Sequence, residues 1–208
     1  MADPYVPAGV SSMFEAMQRD VMHEEDLKKT LRWLRDECGA AGIPFGVIGA
    51  FAMRPNQFVR HTEDLDIVTT RDGLDLLHQR LVGRGLAPRG PGRRKALKNT
   101  IHRVDIDVIV AGERAGSDES PIVFPDPRGP GFDLVKDGVR YATLPTLLTL
   151  KIAAGEWGKR LSDFGDAIRL IRANALDERF AEQLPEAVRE KFCWLVQRER
   201  EEIDLTDA

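Results

Sequence analysis

Residues 45–70, FGVIGAFAMRPNQFVRHTEDLDIVTT, constrain the fold of this chain more than any other stretch. Val47 and Ile48 read as the end of a buried strand, Gly49 permits close backbone approach, and the short segment after it reads as a helix start. Asp64-Leu65-Asp66-Ile67-Val68 then alternates polar and apolar residues. A strand with that period carries both carboxylates on one face and Leu65 and Ile67 on the other. Two carboxylates held side by side on rigid backbone suit a hard divalent cation, because Mg²⁺ takes charged oxygen ligands and is usually shared with phosphates. A glycine turn ahead of a helix start is, separately, a phosphate cradle. Together these features point to a nucleotide site.

The residues that follow supply the rest of an α/β layer. Residues 72–83 read as an amphipathic helix through Leu74, Leu77, Leu81 and Val82, with Asp72 as its N-cap. Residues 101–110, IHRVDIDVIV, read as a further strand with Val104, Ile106, Val108 and Val110 on one face and Asp105 and Asp107 on the other. The Pro- and Gly-rich loop of residues 113–131 contains an apolar piece, residues 121–125, expected as a short edge strand. A hairpin turning at Lys136-Asp137-Gly138 comes next, and Pro145 opens a helix that carries Lys151 among apolar residues.

Ahead of this core, residues 1–10 read as an arm. Residues 11–37 read as a short helix through Phe14, Met17 and Val21, then a longer one through Leu27, Leu31 and Leu34. The break falls at Glu24-Glu25-Asp26, and Gly39 and Gly42 close the second helix. Behind the core lie two more amphipathic helices, residues 178–184 and 185–203. The second has Val188, Phe192, Leu195, Val196 and Ile203 as its stripe and a solvated charged face at residues 198–202.

The pattern in residues 45–70 resembles the nucleotidyltransferases of the DNA polymerase β superfamily, and more narrowly the AbiEii-like group that includes toxins of bacterial toxin–antitoxin systems. That group shows a hydrophobic strand, Gly-Gly or Gly-Ser, then about a dozen residues ending in Arg-x-Thr-x-Asp-hydrophobic-Asp. Here Val47-Ile48-Gly49-Ala50 is followed by Arg60-His61-Thr62-Glu63-Asp64-Leu65-Asp66. Ala50 stands where the second Gly or Ser is usual, and Asn56-Gln57 where a His-Gly pair is common. Two later segments also match: Leu147 to Ala154 with Lys151, and Asp163-Phe164-Gly165-Asp166-Ala167-Ile168 after Lys159-Arg160.

The resemblance implies Asp64, Asp66 and Asp107 as metal-holding and catalytic carboxylates. Alternation alone leaves Asp105 and Asp107 open as the third, and the run Asp107-Val108-Ile109-Val110-Ala111-Gly112 favours Asp107. It implies further that Gly49, Ala50, Arg60, Thr62 and Lys151 contact a nucleotide, with Mg²⁺ (or Mn²⁺) as cofactor and an NTP as substrate. Asp163 and Asp166, one helical turn apart, are expected to cap helices or bond Lys151 and Arg160.

Charge bounds the partners. Residues 84–103 carry Arg84, Arg89, Arg93, Arg94, Lys95, Lys98 and Arg103 and no acid. With a formal net charge of −4 for the chain, the remainder stands near −11, so positive charge is concentrated here. One reading is an anion-facing edge for a triphosphate or an RNA acceptor, the other a solvated hairpin. The acidic balance argues against a general nucleic-acid coat or a membrane-surface protein. Cys38 and Cys193 have no metal-ligand spacing and read as buried thiols of a reducing cytoplasm, and no apolar run reaches the length of a membrane span.

The expectation is therefore an α+β fold: a small mixed sheet of nucleotidyltransferase type flanked by helices, with a C-terminal helical bundle. Its parts are an N-terminal helical segment (residues 1–42), an α/β core (43–144) and the bundle (145–208). The expected activity is Mg²⁺-dependent transfer of a nucleoside monophosphate from an NTP to an acceptor hydroxyl on RNA or protein, with a cognate antitoxin as a possible partner. The alternatives are a non-catalytic nucleotide- or partner-binding module, and a small-molecule (antibiotic-type) nucleotidyltransferase whose acceptor pocket would draw on Glu63 and Asp105.

Overall fold

The computed structural model describes the backbone of residues 8–206 and the side chains of residues 21–201. Seven strands form one mixed sheet in the order β3-β4-β5-β2-β1-β7-β6. They are β1 (Phe45–Ile48), β2 (Asp64–Thr69), β3 (Leu86–Pro88), β4 (Ala96–Asn99), β5 (Asp105–Val110), β6 (Leu134–Lys136) and β7 (Val139–Tyr141). The helices are α1 (Ala8–Ala41), α2 (Arg71–Arg80), α3 (Leu144–Glu156), α4 (Leu161–Ala173) and α5 (Glu186–Thr206). One apolar cluster runs through Leu27, Leu31 and Leu34 of α1, Leu65, Ile67, Ile106 and Val108 of the sheet, and Leu147, Leu170, Phe192 and Val196 of the last three helices. This is the expected α+β architecture.

The acidic run that reads as a break does not interrupt α1. Lys28 lies 2.9 Å from Glu24 and 3.0 Å from Glu25, and Lys29 lies 3.3 Å from Asp26. Acids followed one turn later by lysines support an exposed helical face rather than end it. Residues 8–10, expected in the arm, already belong to this helix, while residues 1–7 and the side chains of Phe14, Met17 and Ile203 lie outside those described. The helix closes as expected: Gly42 adopts a φ of +68°, and Ile43 N–H reaches back to Cys38 O at 2.8 Å, a Schellman closure.

Several boundaries move for local reasons. Thr70, not Asp72, caps α2, its hydroxyl accepting from Gly73 N–H at 3.0 Å, and Asp72 takes the first turn, where its charge suits the helix dipole. β5 begins only at Asp105, because Asn99 Oδ1 accepts from the N–H groups of Ile101 and His102 and curls residues 99–104 into a turn. Residues 121–125 make a single bridge, Arg114 to Val123, instead of a strand, as flanking prolines dictate. The β6–β7 hairpin turns through Asp137 and Gly138, both at positive φ, as expected. Residues 178–183 form a 3₁₀ helix. In α5, Glu199 is buried and accepts from Arg172 Nε at 2.9 Å, so residues 198–202 are not wholly solvated. Cys38 is buried, but Cys193 is only half-buried.

Candidate active site

β2 and β5 run parallel in a register that pairs Asp64 with Asp105 and Asp66 with Asp107. Register partners in adjacent strands point to the same side, so all four carboxylates share one face, while Leu65, Ile67, Ile106 and Val108 are buried on the other. Asp66 also pairs with Ile48 of β1, which brings the turn after β1 against it. Gly49 sits in that turn with a φ of +66°. A Cβ there would stand 2.0 Å from Asp66 Oδ2, so the glycine both permits the backbone turn and vacates the space the carboxylate occupies. After Ala50 comes a 3₁₀ helix, Phe51–Asn56, rather than an α-helix. A phosphate here would meet the few N–H groups of one tight turn.

Thr62 donates its hydroxyl to Asp64 Oδ1 at 2.8 Å and fixes that carboxylate's orientation. Burial, then the neighbouring Asp64 charge, push the Asp66 carboxyl up to about 6, against the pull of Lys151 and Arg160. A carboxyl raised by burial and by a neighbouring carboxylate is one whose charge is under-compensated in the protein alone. That donor set fits a divalent cation. Among the described residues, no three acidic, His or Cys side chains already stand as a metal cluster. The third expected ligand is engaged elsewhere: Arg89 donates one guanidinium nitrogen to Asp105 Oδ2 at 3.1 Å and the other to Asp107 Oδ1. No sequence signal marks Arg89 as distinct from its basic neighbours.

The other expected nucleotide contacts converge on a network beside these carboxylates. Lys151 is buried on α3, its Nζ 2.7 Å from Asp163 Oδ1 and 2.8 Å from Asp166 Oδ2. Arg60 reaches Asp166 Oδ2 at 2.5 Å across 106 residues of chain, and Arg160 lies 3.1 Å from Asp163 Oδ2. The two aspartates thus bond Lys151 and Arg160, as expected, and Asp166 also takes Arg60, which the sequence reading assigns to the nucleotide. Lys151 does not stand free for a phosphate: two carboxylates hold its ammonium, and its charge acts on Asp66 through space.

The basic stretch is largely neutralised. Besides Arg89, Arg94 pairs with Asp75 at 2.6 Å, Lys95 with Glu113, and Lys98 with Asp105 at 3.5 Å. Arg84, Arg93 and Arg103 remain exposed. Among the described residues, no helix is long and apolar enough to cross a membrane.

No family model matches the chain, and no curated protein matches it. Among solved structures it is similar to the antibiotic-resistance factor ANT(2'')-Ia in solution, with a TM-score of 0.50 and 11% identity over 92% of this chain and 97% of that one. It is also similar to ANT(2'')-Ia in complex with adenylyl-2''-tobramycin (TM-score 0.47, 13% identity, 86% and 99% covered). A third likeness is to a protein from H. pylori described as a candidate nucleotidyltransferase (TM-score 0.45, 13% identity, 87% and 82% covered). The likeness to the solution structure is one of fold alone, in the mixed sheet and its flanking helices.

Proposed function

We propose that the chain is a nucleotidyltransferase that moves a nucleoside monophosphate from an NTP to an acceptor hydroxyl, with Mg²⁺ or Mn²⁺ held by Asp64, Asp66 and Asp107. The observation that carries this reading is the register of Asp66 with Asp107, beside an Asp64 oriented by Thr62. The divalent ion, when bound, neutralises charge on the triphosphate. Asp64 and Asp66 hold it. Asp107, once released by Arg89, takes the proton of the acceptor hydroxyl as that oxygen attacks the α-phosphorus and pyrophosphate departs. The turn at Gly49 and Ala50 lets backbone approach the phosphates, and Arg60 and Arg160, anchored by Asp166 and Asp163, face the developing charge. Lys151 positions both aspartates.

The acceptor is read in two ways. A toxin-type RNA acceptor would use Arg84, Arg93 and Arg103, the cations of the basic stretch without an ion pair among the described residues. A small hydroxylated acceptor is favoured by the pairing of Arg89, Arg94, Lys95 and Lys98 with acids, which removes most of the cationic edge. Incubation with labelled NTPs against RNA, cell protein and a small-molecule panel, with pyrophosphate measured, tests both. Label on RNA, lost when Arg84, Arg93 and Arg103 are neutralised together, supports the first reading, with the salt dependence flattened by roughly 0.7 of log-log slope per lost contact. Label on small molecules supports the second. NTP binding without pyrophosphate release would overturn catalysis in favour of a binding module.

A further inference from the structure

A second groove, of about 470 Å³, opens between α1, the 3₁₀ helix Phe51–Asn56 and the β6–β7 hairpin. It lies across the sheet from the carboxylates. Tyr141 at its wall is the register partner of Val47, which pairs with Ile67 and so points away from Asp66. Its volume falls within the range of small-molecule sites.

The groove's chemistry is one-sided. Leu31, Phe51 and Val139 form an apolar floor, and three elements each bring a cation: Arg32 from α1, Arg54 from the 3₁₀ helix and Lys136 from the hairpin. Arg32 and Lys136 are exposed and have no ion-pair partner among the described residues. Arg54 lies over the Phe51 ring at 5.1 Å and bonds Glu24 through Nη1 at 2.9 Å, yet its Nε is buried with no partner. The other two cations of the lining are already matched, Lys28 by Glu24 and Glu25, and Arg35 by Asp36. Asp137 contributes the lining's carboxylate at the hairpin turn, and its carbonyl oxygen is taken by Arg35. What is left facing the groove is two exposed cations without an ion-pair partner among the described residues, Arg32 and Lys136, above an apolar floor. Two unmatched cations brought together from α1 and the hairpin favour an anionic occupant.

We propose that this groove binds a phosphate monoester with a flat apolar body, of the size of a nucleoside monophosphate. The phosphate dianion sits between Arg32 and Lys136, and the apolar body rests on the floor at Leu31 and Val139. Two unpaired cations match a dianion better than a singly charged carboxylate, and Arg32 offers a forked donor set that suits phosphate oxygens. The site is distinct from the proposed catalytic face and stands whether or not that face is active.

The test uses the full chain, AMP and inorganic phosphate as probes, and EDTA to remove divalent ions from the catalytic face. Binding is followed by calorimetry or by chemical-shift changes at Arg54 and Tyr141. The Arg32→Ala/Lys136→Ala double variant, altered only at exposed side chains, should bind AMP at least ten-fold more weakly. Asp64→Asn should bind it within two-fold of the parent, and inorganic phosphate should bind more weakly than AMP. The proposal is overturned if AMP binding survives the double variant, if Asp64→Asn removes it, if phosphate binds as well as AMP, or if AMP does not bind at millimolar concentration.

Discussion

The guanidinium of Arg89 holds the carboxylate of Asp107, the residue paired in register with Asp66. One arginine therefore stands where a third metal ligand would need to be free. Arg89→Ala should tighten Mn²⁺ or Mg²⁺ binding by about five-fold, the equivalent of roughly 1 kcal/mol for a partly exposed pair. A Mn²⁺ titration followed by electron paramagnetic resonance reads this directly. Unchanged affinity would show that Asp107 does not compete for the ion. No binding to either protein would remove the metal reading itself.

Asp66 sets a pH dependence whose sign is fixed. Its folded carboxyl is raised from 3.8 to about 6, so the unfolded chain ionises first as pH rises. Stability should fall between about pH 4 and pH 6, and above that the cost is fully present. Asp66→Asn removes this cost, and at pH 8 without metal its Tm should rise by about 3–6 °C, for roughly 1–2 kcal/mol. Mg²⁺ should raise the Tm of the parent more strongly above pH 6 than below, and should leave the variant unmoved. A scanning-calorimetry series across pH, with and without Mg²⁺, checks both.

Lys151 is buried between two aspartates whose side chains are nearly inaccessible, 5% exposed for Asp163 and 1% for Asp166. Lys151→Met leaves their charge under-compensated and should cost about 3–5 kcal/mol in urea unfolding. Adding Asp163→Asn and Asp166→Asn to it should recover part of that loss. A triple variant no more stable than Lys151→Met would mean the network is not the source of the cost.

Gly49→Ala combines left-handed backbone with a Cβ placed 2.0 Å from Asp66 Oδ2. A loss of about 1–3 kcal/mol from the backbone alone is expected, with displacement of Asp66 and loss of Mg²⁺-dependent pyrophosphate release. Wild-type activity in this variant would exclude Gly49 from the site.

The parts legible in the sequence were those set by short-range pattern. Alternation at Asp64-Leu65-Asp66 and at Asp105-Ile106-Asp107 placed four carboxylates on strand faces, and the apolar helix around Lys151 with the Asp163/Asp166 pair marked the ion network. Both are local periodicities, which a chain displays before it folds. Pairings across the fold were not legible. Seven cations in twenty residues read as a free patch, yet four of them find acids in strands, a helix and a loop that only the sheet order brings near. The Glu24-Glu25-Asp26 run misled because its lysine partners lie one turn on, where spacing rather than composition decides. The metal set and the nucleotide contacts rest on the proposal above.

Asn56, buried at the end of the 3₁₀ helix, ties three distant parts together. Its Nδ2 donates to Ala52 O at 2.7 Å and Ala142 O at 3.0 Å, and its own carbonyl accepts from Asn174 Nδ2 at 3.0 Å. The turn that would receive phosphates is thereby bolted to the entry of α3 and the end of α4. Parting these segments would strand polar amide groups at about 1–3 kcal/mol each, so the turn after β1 keeps its place against α3 and α4. One amide side chain thus makes the position of that turn depend on two helices far from it in sequence.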